Sequence, residues 1–169
     1  MEASFYYSAL QTQFGTIQIA VEANGVVTEV WLPNRRRGPV HEGTLPRSAE
    51  RGTRDAHAQL REYFEGKRRA FDLPIDPRGS PFECSVWERL RGIPYGETTS
   101  YGAIAAGLGM LNGARAVGRA NGRNPIPIII PCHRVIGANG TLTGFGGGIA
   151  LKQSLLELEG AARPELRLF

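Results

Sequence analysis

Two residues whose side chains can do covalent chemistry stand next to each other in the segment 126–141, IPIIIPCHRVIGANGT. Cys132 is one of 2 cysteines in the chain, and His133 is one of 3 histidines. A thiol becomes a strong nucleophile when it ionises, and an imidazole that takes its proton favours that step. The pair predicts either an activated thiolate or a small packing residue beside a histidine. Adjacency alone leaves both interpretations open, because neighbours on an extended strand point to opposite faces.

Three further features favour a reactive Cys132. The branched residues 126–130 predict a strand that Pro131 ends, which puts the cysteine at an exposed turn where regular alternation fails. His133 and Arg134 predict a positive potential, which would lower the thiol pKa from about 8.5. A carboxylate, for which Glu159 is a candidate, could orient the imidazole and complete a Cys–His–acid arrangement.

Composition limits the other kinds of chemistry. No apolar run approaches the roughly 20 residues that cross a bilayer, and the start MEASFYYSAL has no basic stretch before an apolar core, so we expect a cytoplasmic protein that does not bind membranes. Cys84 and Cys132 are then expected to be free thiols, with Cys84 a packing residue. Because the chain has no CxxC or HxxxH pair, we predict no metal site. The net charge of +4 permits a polyanionic partner without requiring one.

The first part of the chain reads as strands followed by one helix. Residues 5–32 alternate apolar and polar types around Asn24-Gly25, which predicts a hairpin. A surface loop is predicted over 33–52, including the arginine run 35–37. Apolar residues at helical spacing then predict a helix that ends at Gly66. The stretch DLPIDPRGSP, 72–81, is typical of a linker, so we place domains at 1–78 and 79–169.

The second part reads as short helices. Residues 82–90 predict a helix, Ser100 predicts the cap of another that runs through Gly107, and a third covers 114–122. The last two, joined by a tight turn, are a helix-turn-helix candidate. The third helix is nearly all Ala, Gly and Val, which favours either close approach to a nucleic acid or tight packing in a core. A final helix over 149–159 carries a stripe of Leu151, Leu155 and Leu158.

The segments IPCHRVIG, LTGFGGG and LLELEG, together with AQLREYFEGKRRAFDLPI and PFECSVWERLRGIPYGETTSYGAIA, resemble the O6-alkylguanine-DNA alkyltransferases over most of the chain. The resemblance implies an α+β fold, with an N-terminal ribonuclease-H-like α/β domain and a C-terminal helical, winged-helix-like domain that holds the helix-turn-helix. It implies direct-reversal DNA repair, in which the alkyl group of O6-alkylguanine, and of O4-alkylthymine, moves irreversibly and stoichiometrically to a cysteine. The implied partner is double-stranded DNA, bound through its minor groove with the damaged base flipped out. We expect a protein without cofactors, and take a monomer as the default oligomeric state.

The same resemblance assigns roles to individual residues. It makes Cys132 the alkyl acceptor, His133 its water-mediated base, Glu159 the group that holds the histidine tautomer, and Asn124 the hinge that braces the turn. It makes Tyr101 the residue that rotates the nucleotide and then donates toward the base. The remaining implied contacts are Arg115 as the finger that fills the gap in the duplex, Ala114, Ala116 and Gly118 in the minor groove, and Val135, Phe145 and Gly146 at the base.

Three positions depart from the family pattern. Phe145 stands where many members carry tyrosine, Asn121 and Arg123 stand where some members place an apolar residue beside the pocket, and the turn LGMLNG lacks a proline. Two rival functions remain. A cysteine hydrolase would turn over its substrate and need not bind DNA, whereas a non-catalytic module would bind alkylated DNA without repairing it. The helix-turn-helix argues against the first, and the presence of Cys132 argues against the second.

Overall fold

The chain divides into two units, Met1–Arg78 and Gly79–Phe169. The computed structural model describes residues 4–33, 35 and 44–161. The division between the units falls inside the proline-containing stretch 72–81. Of the arginine run, positions 36 and 37 lie outside the described residues.

An antiparallel sheet in the order β1-β2-β3 forms the first unit's scaffold. Its strands are β1, Phe5–Thr12, β2, Gly15–Glu22, and β3, Val27–Trp31. The predicted hairpin at Asn24-Gly25 is confirmed, since Gly25 has a φ of 86° and the Asn24 side chain accepts a hydrogen bond from the Val26 amide at 3.0 Å. A positive φ is the reason that glycine suits this turn.

One helix, α1, Arg47–Phe64, packs on this sheet through Ala49, Ala56, Leu60, Tyr63 and Phe64. The helix begins at Arg47, so residues 47–52 of the loop predicted over 33–52 are helical and that boundary was wrong. Its first turn buries only Ala49 and is otherwise polar, which hides the helical period from a sequence reading. The predicted end is confirmed, because Gly66 follows the helix with a φ of 72°.

The second unit is built from short helices. Helix α2, Pro81–Arg91, starts at a capping box in which Ser80 and Glu83 exchange hydrogen bonds. Strand β4, Thr99–Ser100, leads into α3, Tyr101–Gly107, and the Ser100 side chain accepts a hydrogen bond from the Ala103 amide, as predicted. Helix α4, Ala114–Gly122, packs on both α2 and α3. The predicted pair of short helices joined by a tight turn is confirmed.

The segment 126–130 is not the predicted strand. It forms a buried turn in which the Ile130 amide donates to the Ile126 carbonyl at 2.9 Å and Ile128 has a φ of 73°. Prolines at 125, 127 and 131 leave those positions without amide donors, so a regular ladder cannot form there. A 3-10 turn over Cys132–Arg134, the short strand β5, Val135–Ile136, and helix α5, Ile149–Leu158, complete the unit. Strand β5 pairs in parallel with β4.

None of the helices in the described ranges is long and apolar enough to cross a membrane.

Candidate active site

The Cys132 side chain lies inside the second unit, not at an exposed turn as the sequence predicted. Its residue is 4% exposed, and its amide donates to the Ile130 carbonyl at 2.8 Å. Asn124 braces the same carbonyl through its amide nitrogen at 2.8 Å, and its oxygen accepts from the Ile126 amide at 3.0 Å. The turn is therefore held by both ends of one buried asparagine.

His133 and Glu159, 26 residues apart in sequence, meet in the core. His133 Nε2 lies 2.7 Å from Glu159 Oε1, and neither side chain is exposed to solvent. Burial lowers the pKa of His133, and the nearby Glu159 carboxylate opposes that shift without cancelling it. The imidazole is therefore neutral near pH 7, and its Nε2–H donates to the carboxylate.

This arrangement leaves His133 Nδ1 as a lone-pair acceptor. The atom is buried and has no hydrogen-bond partner among the described residues. A neutral imidazole whose Nε2 proton is held by a carboxylate is set up to accept a proton at Nδ1. Its neighbour in the chain is the thiol of Cys132, so the side chains needed to activate a nucleophile share one buried turn.

Arg134 completes this buried network in a way that the sequence did not predict. Its Nε and Nη2 each donate to Glu159 at 2.9 Å, and its Nη1 donates to the Ile93 carbonyl at 2.6 Å. The charge of Arg134 is thus paired with Glu159, a partner that the sequence analysis did not assign to it. The two hydrogen bonds from Arg134 fix the position of the Glu159 carboxylate, which in turn orients His133.

Lys152 is the functional candidate that the sequence analysis missed. Its ammonium is fully buried and donates to the Val135 carbonyl at 2.5 Å and the Thr143 carbonyl at 2.9 Å. Burial lowers the pKa of Lys152 to about 8, while the Cys132 thiolate acts to raise it. Lys152 therefore places a cation close enough to interact with the nucleophile, and it ties β5 to the segment before α5.

A different stripe of α5 faces the core from the one predicted. The buried positions are Lys152, Leu155, Leu156 and Glu159, which follow the spacing i, i+3, i+4 and i+7. The predicted leucines 151 and 158 are only partly buried. The available signal was that Lys152 and Glu159 lie one turn before and one turn after the leucine pair 155–156, on the same face of the helix. Lysine and glutamate are usually exposed to solvent, so this spacing did not predict that they are buried.

The residues assigned to DNA and base contacts lie on α3, α4, β5 and the segment 137–148. Tyr101, the first residue of α3, is half-buried, and its hydroxyl donates to the Thr143 carbonyl at 3.4 Å. Its ring lies beside α4, since a Cβ added to Gly118 would be 3.8 Å from the Tyr101 ring. Lys152 Nζ lies 6.0 Å from the centre of that ring. The other assigned positions are divided between exposed Ala114, Arg115 and Gly146, half-buried Ala116, Gly118 and Phe145, and buried Val135.

No group of three or more His, Cys, Asp or Glu side chains within residues 4–33, 35 and 44–161 is arranged to hold a metal ion. Cys84 is half-buried on α2, and its thiol lies 3.7 Å from the Gly79 carbonyl oxygen.

Comparison with known proteins gives consistent matches. Residues 81–161 match the family "6-O-methylguanine DNA methyltransferase, DNA binding domain". The chain is 43% identical to the methylated-DNA–protein-cysteine methyltransferase of Methanosarcina acetivorans over 92% of its own length and 99% of that protein. It is 58% identical to the Mycobacterium tuberculosis protein of the same name over 66% of its length and 68% of that protein. The crystal structure of Mycobacterium tuberculosis OGT in complex with DNA superposes with a TM-score of 0.80 at 42% identity, covering 94% of this chain and 96% of that one.

Proposed function

Since the chain belongs to the methylated-DNA–protein-cysteine methyltransferase family, we propose that it repairs O6-alkylguanine in double-stranded DNA by taking the alkyl group onto Cys132. One observation carries the proposal: the buried Cys132 is followed directly by a histidine whose Nε2 is held by Glu159 and whose Nδ1 is a buried, unpartnered acceptor. A thiol beside such an acceptor has a place to send its proton.

The transfer is a single displacement at the alkyl carbon. The Cys132 proton passes through a bridging water to His133 Nδ1, and the thiolate sulfur attacks the alkyl carbon in line. The carbon–sulfur bond forms as the bond from that carbon to guanine O6 breaks, and the base leaves with a proton donated by Tyr101. The product is a thioether, which no neighbouring thiol can displace as it would a disulfide. Each molecule therefore acts once, and the step needs no cofactor.

Access to the alkyl group requires the base to leave the stack, so we propose base flipping from a minor-groove complex. Tyr101 rotates the nucleotide, and Arg115 occupies the gap that the base leaves. The small residues of α4 (Ala114, Ala116 and Gly118) permit close approach to the backbone while reading little sequence. Lesions arise in any sequence, so this lack of readout suits repair.

The flipped base is received between β5 and the segment before α5. We propose that Val135 contacts it through the backbone, Phe145 provides an aromatic wall and Gly146 allows close approach. The Val135 carbonyl already accepts from Lys152, but a carbonyl oxygen has a second lone pair for the base. O4-alkylthymine, which carries its alkyl group on a comparable exocyclic oxygen, is the proposed second substrate.

We further propose a ribonuclease-H-like architecture for the first unit and a winged-helix-like one for the second, with the protein monomeric in the cytoplasm. The sheet and helix of the first unit and the helix-turn-helix with the small β4–β5 sheet of the second are compatible with these assignments. A reducing cytoplasm would keep Cys132 as the free thiol that the reaction needs.

The test is to mix the protein with a duplex that contains one O6-methylguanine and to weigh the intact protein. We expect one added methyl group, mapped to Cys132 and saturating at one equivalent. The variant Cys132→Ser should gain nothing, whereas Cys84→Ser, which alters the chain's other cysteine, should react as the wild type does. An unmodified protein that still binds the lesion would show a damage-recognition module, and continued turnover would show a different enzyme.

A further inference from the structure

The end of α4 contacts the nucleophile through a residue to which no role was assigned. Asn121, 3% exposed, donates its side-chain nitrogen to the carbonyl oxygen of Cys132 at 3.4 Å. It lies three residues before Asn124, which makes the corresponding contact to Ile130 at 2.8 Å. Two buried side-chain amides from the same stretch of chain therefore donate to the carbonyls of Ile130 and Cys132.

The two asparagines differ in how fully they are paired. Asn124 is satisfied at both ends, whereas Asn121 Oδ1 is buried without a hydrogen-bond partner among the described residues. The orientation of the Asn121 amide follows from its contact, because the Cys132 carbonyl can only accept and so must face the nitrogen. A leucine of similar size would avoid the cost of burying an unpaired oxygen. Burial of this oxygen carries a cost that leucine would not, which points to a role for the amide nitrogen in its contact with Cys132.

On the basis of the proposed function, we infer that Asn121 is a positioning residue for alkyl transfer. It orients the peptide group of Cys132 and so sets the direction from which the sulfur attacks the alkyl carbon. The Cys132 amide donates to the Ile130 carbonyl, and the Cys132 carbonyl also accepts from the Val135 amide that closes the 3-10 turn. Asn121 is therefore a second donor to this carbonyl, and it reaches the turn from α4. In-line displacement depends steeply on the direction of attack, so a small rotation of this peptide slows the reaction.

Helix α4, which carries Asn121 near its end, has one exposed face and one buried face. Its exposed face carries Arg115, and its buried face carries Val117, Ala120 and Asn121. The Ala120 carbonyl also accepts a hydrogen bond from the Trp87 indole at 2.8 Å, which fixes the helix end on α2. The helix proposed to contact DNA therefore also carries Asn121, the residue proposed to orient Cys132.

The experiment compares Asn121→Leu with the wild type in single-turnover methyl transfer from an O6-methylguanine duplex. We expect the transfer rate to fall about ten- to a hundredfold, while the affinity for the duplex and the denaturation midpoint stay at or above those of the wild type. Because asparagine does not titrate, the rate should fall equally at every pH, and the midpoint of the pH profile should not move. Val117→Ala, one turn earlier on the same buried face, should lower stability and leave the rate unchanged.

Asn121→Ala separates the loss of the amide from the added bulk of leucine. A similar rate loss in both variants supports the positioning role, whereas a wild-type rate in Asn121→Ala overturns it. A shifted pH profile also overturns it, because Asn121 would then act on the ionisation of the thiol. If the wild type itself gains no methyl group, the proposed function fails. If the wild type is methylated and both Asn121 variants react at its rate, the function stands and this inference fails.

Discussion

Replacing Lys152 with methionine tests whether a cation is buried beside the nucleophile. Burial lowers the pKa of Lys152 from 10.5 to about 8. At about 1.36 kcal/mol per pKa unit, keeping the ammonium charged inside the fold costs about 3 kcal/mol. Because the folded-state pKa is the lower one, the unfolded chain binds more protons between pH 8 and pH 10.5. The free energy of unfolding therefore rises with pH through this window. Below pH 8 the full cost of burying the ammonium is present, and above pH 10.5 that cost is gone.

The variant Lys152→Met should lose that rise. At neutral pH the two effects of the substitution oppose each other: the burial cost disappears, but the hydrogen bonds to Val135 and Thr143 are lost at about 1 kcal/mol each. We therefore expect a change of less than about 2 kcal/mol near pH 7. The measurement is urea unfolding at about pH 7 and about pH 9.5, extrapolated linearly. Both chains should carry Cys132→Ser, so that ionisation of the thiol does not contribute.

Lys67 provides a matched control, because it is the chain's only other lysine and its side chain is 70% exposed. Its hydrogen bond to Glu65 raises its pKa, so Lys67→Met should retain the rise with pH that belongs to Lys152. The reasoning is refuted if the unfolding free energies of Lys152→Met and its parent change in parallel between neutral and alkaline pH.

Two further substitutions test the core of each unit. Glu159→Gln leaves the buried Arg134 without a counter-charge, so urea unfolding should show a loss of about 3 kcal/mol; a loss below about 1 kcal/mol would contradict the buried network. Gly52→Ala forces a Cβ to within 2.3 Å of the Gly25 carbonyl oxygen and should cost about 1–3 kcal/mol. Gly122→Ala, which meets nothing within 4 Å, should instead raise stability by up to about 1 kcal/mol, and equal effects of the two alanines would show that no close approach exists at Gly52.

Much of the secondary structure could be predicted because its signals are local. The hairpin needs a residue pair that tolerates positive φ, and Asn24-Gly25 supplies it. The start of α3 needs a side chain that accepts from a free amide, and Ser100 does so. The errors fell where local signals were ambiguous: the polar first turn of α1 was taken for loop, and the branched residues 126–130 were taken for strand although their prolines prevent a ladder.

The sequence predicted which residues form the candidate site, but not how their side chains pair with one another. The motif around Cys132 and the resemblance that it carries selected His133, Glu159 and Asn124, and the fold brings these residues together. The sequence could not assign partners to charges. It predicted a positive potential from Arg134 but not that the guanidinium donates twice to Glu159. Pairing depends on which groups burial leaves without water, and burial is a property of the whole unit.

The sequence by itself determined the types of residue available for chemistry and the helices and hairpin that carry them, because these follow from side-chain chemistry and periodicities of a few residues. Tertiary structure decided that Lys152 is a buried cation, that Asn121 faces the Cys132 carbonyl and that His133 is neutral. Each of these depends on groups distant in the chain that close around a side chain and remove its water. Desolvation and the partners that offset it then set protonation and orientation, and no local pattern encodes them.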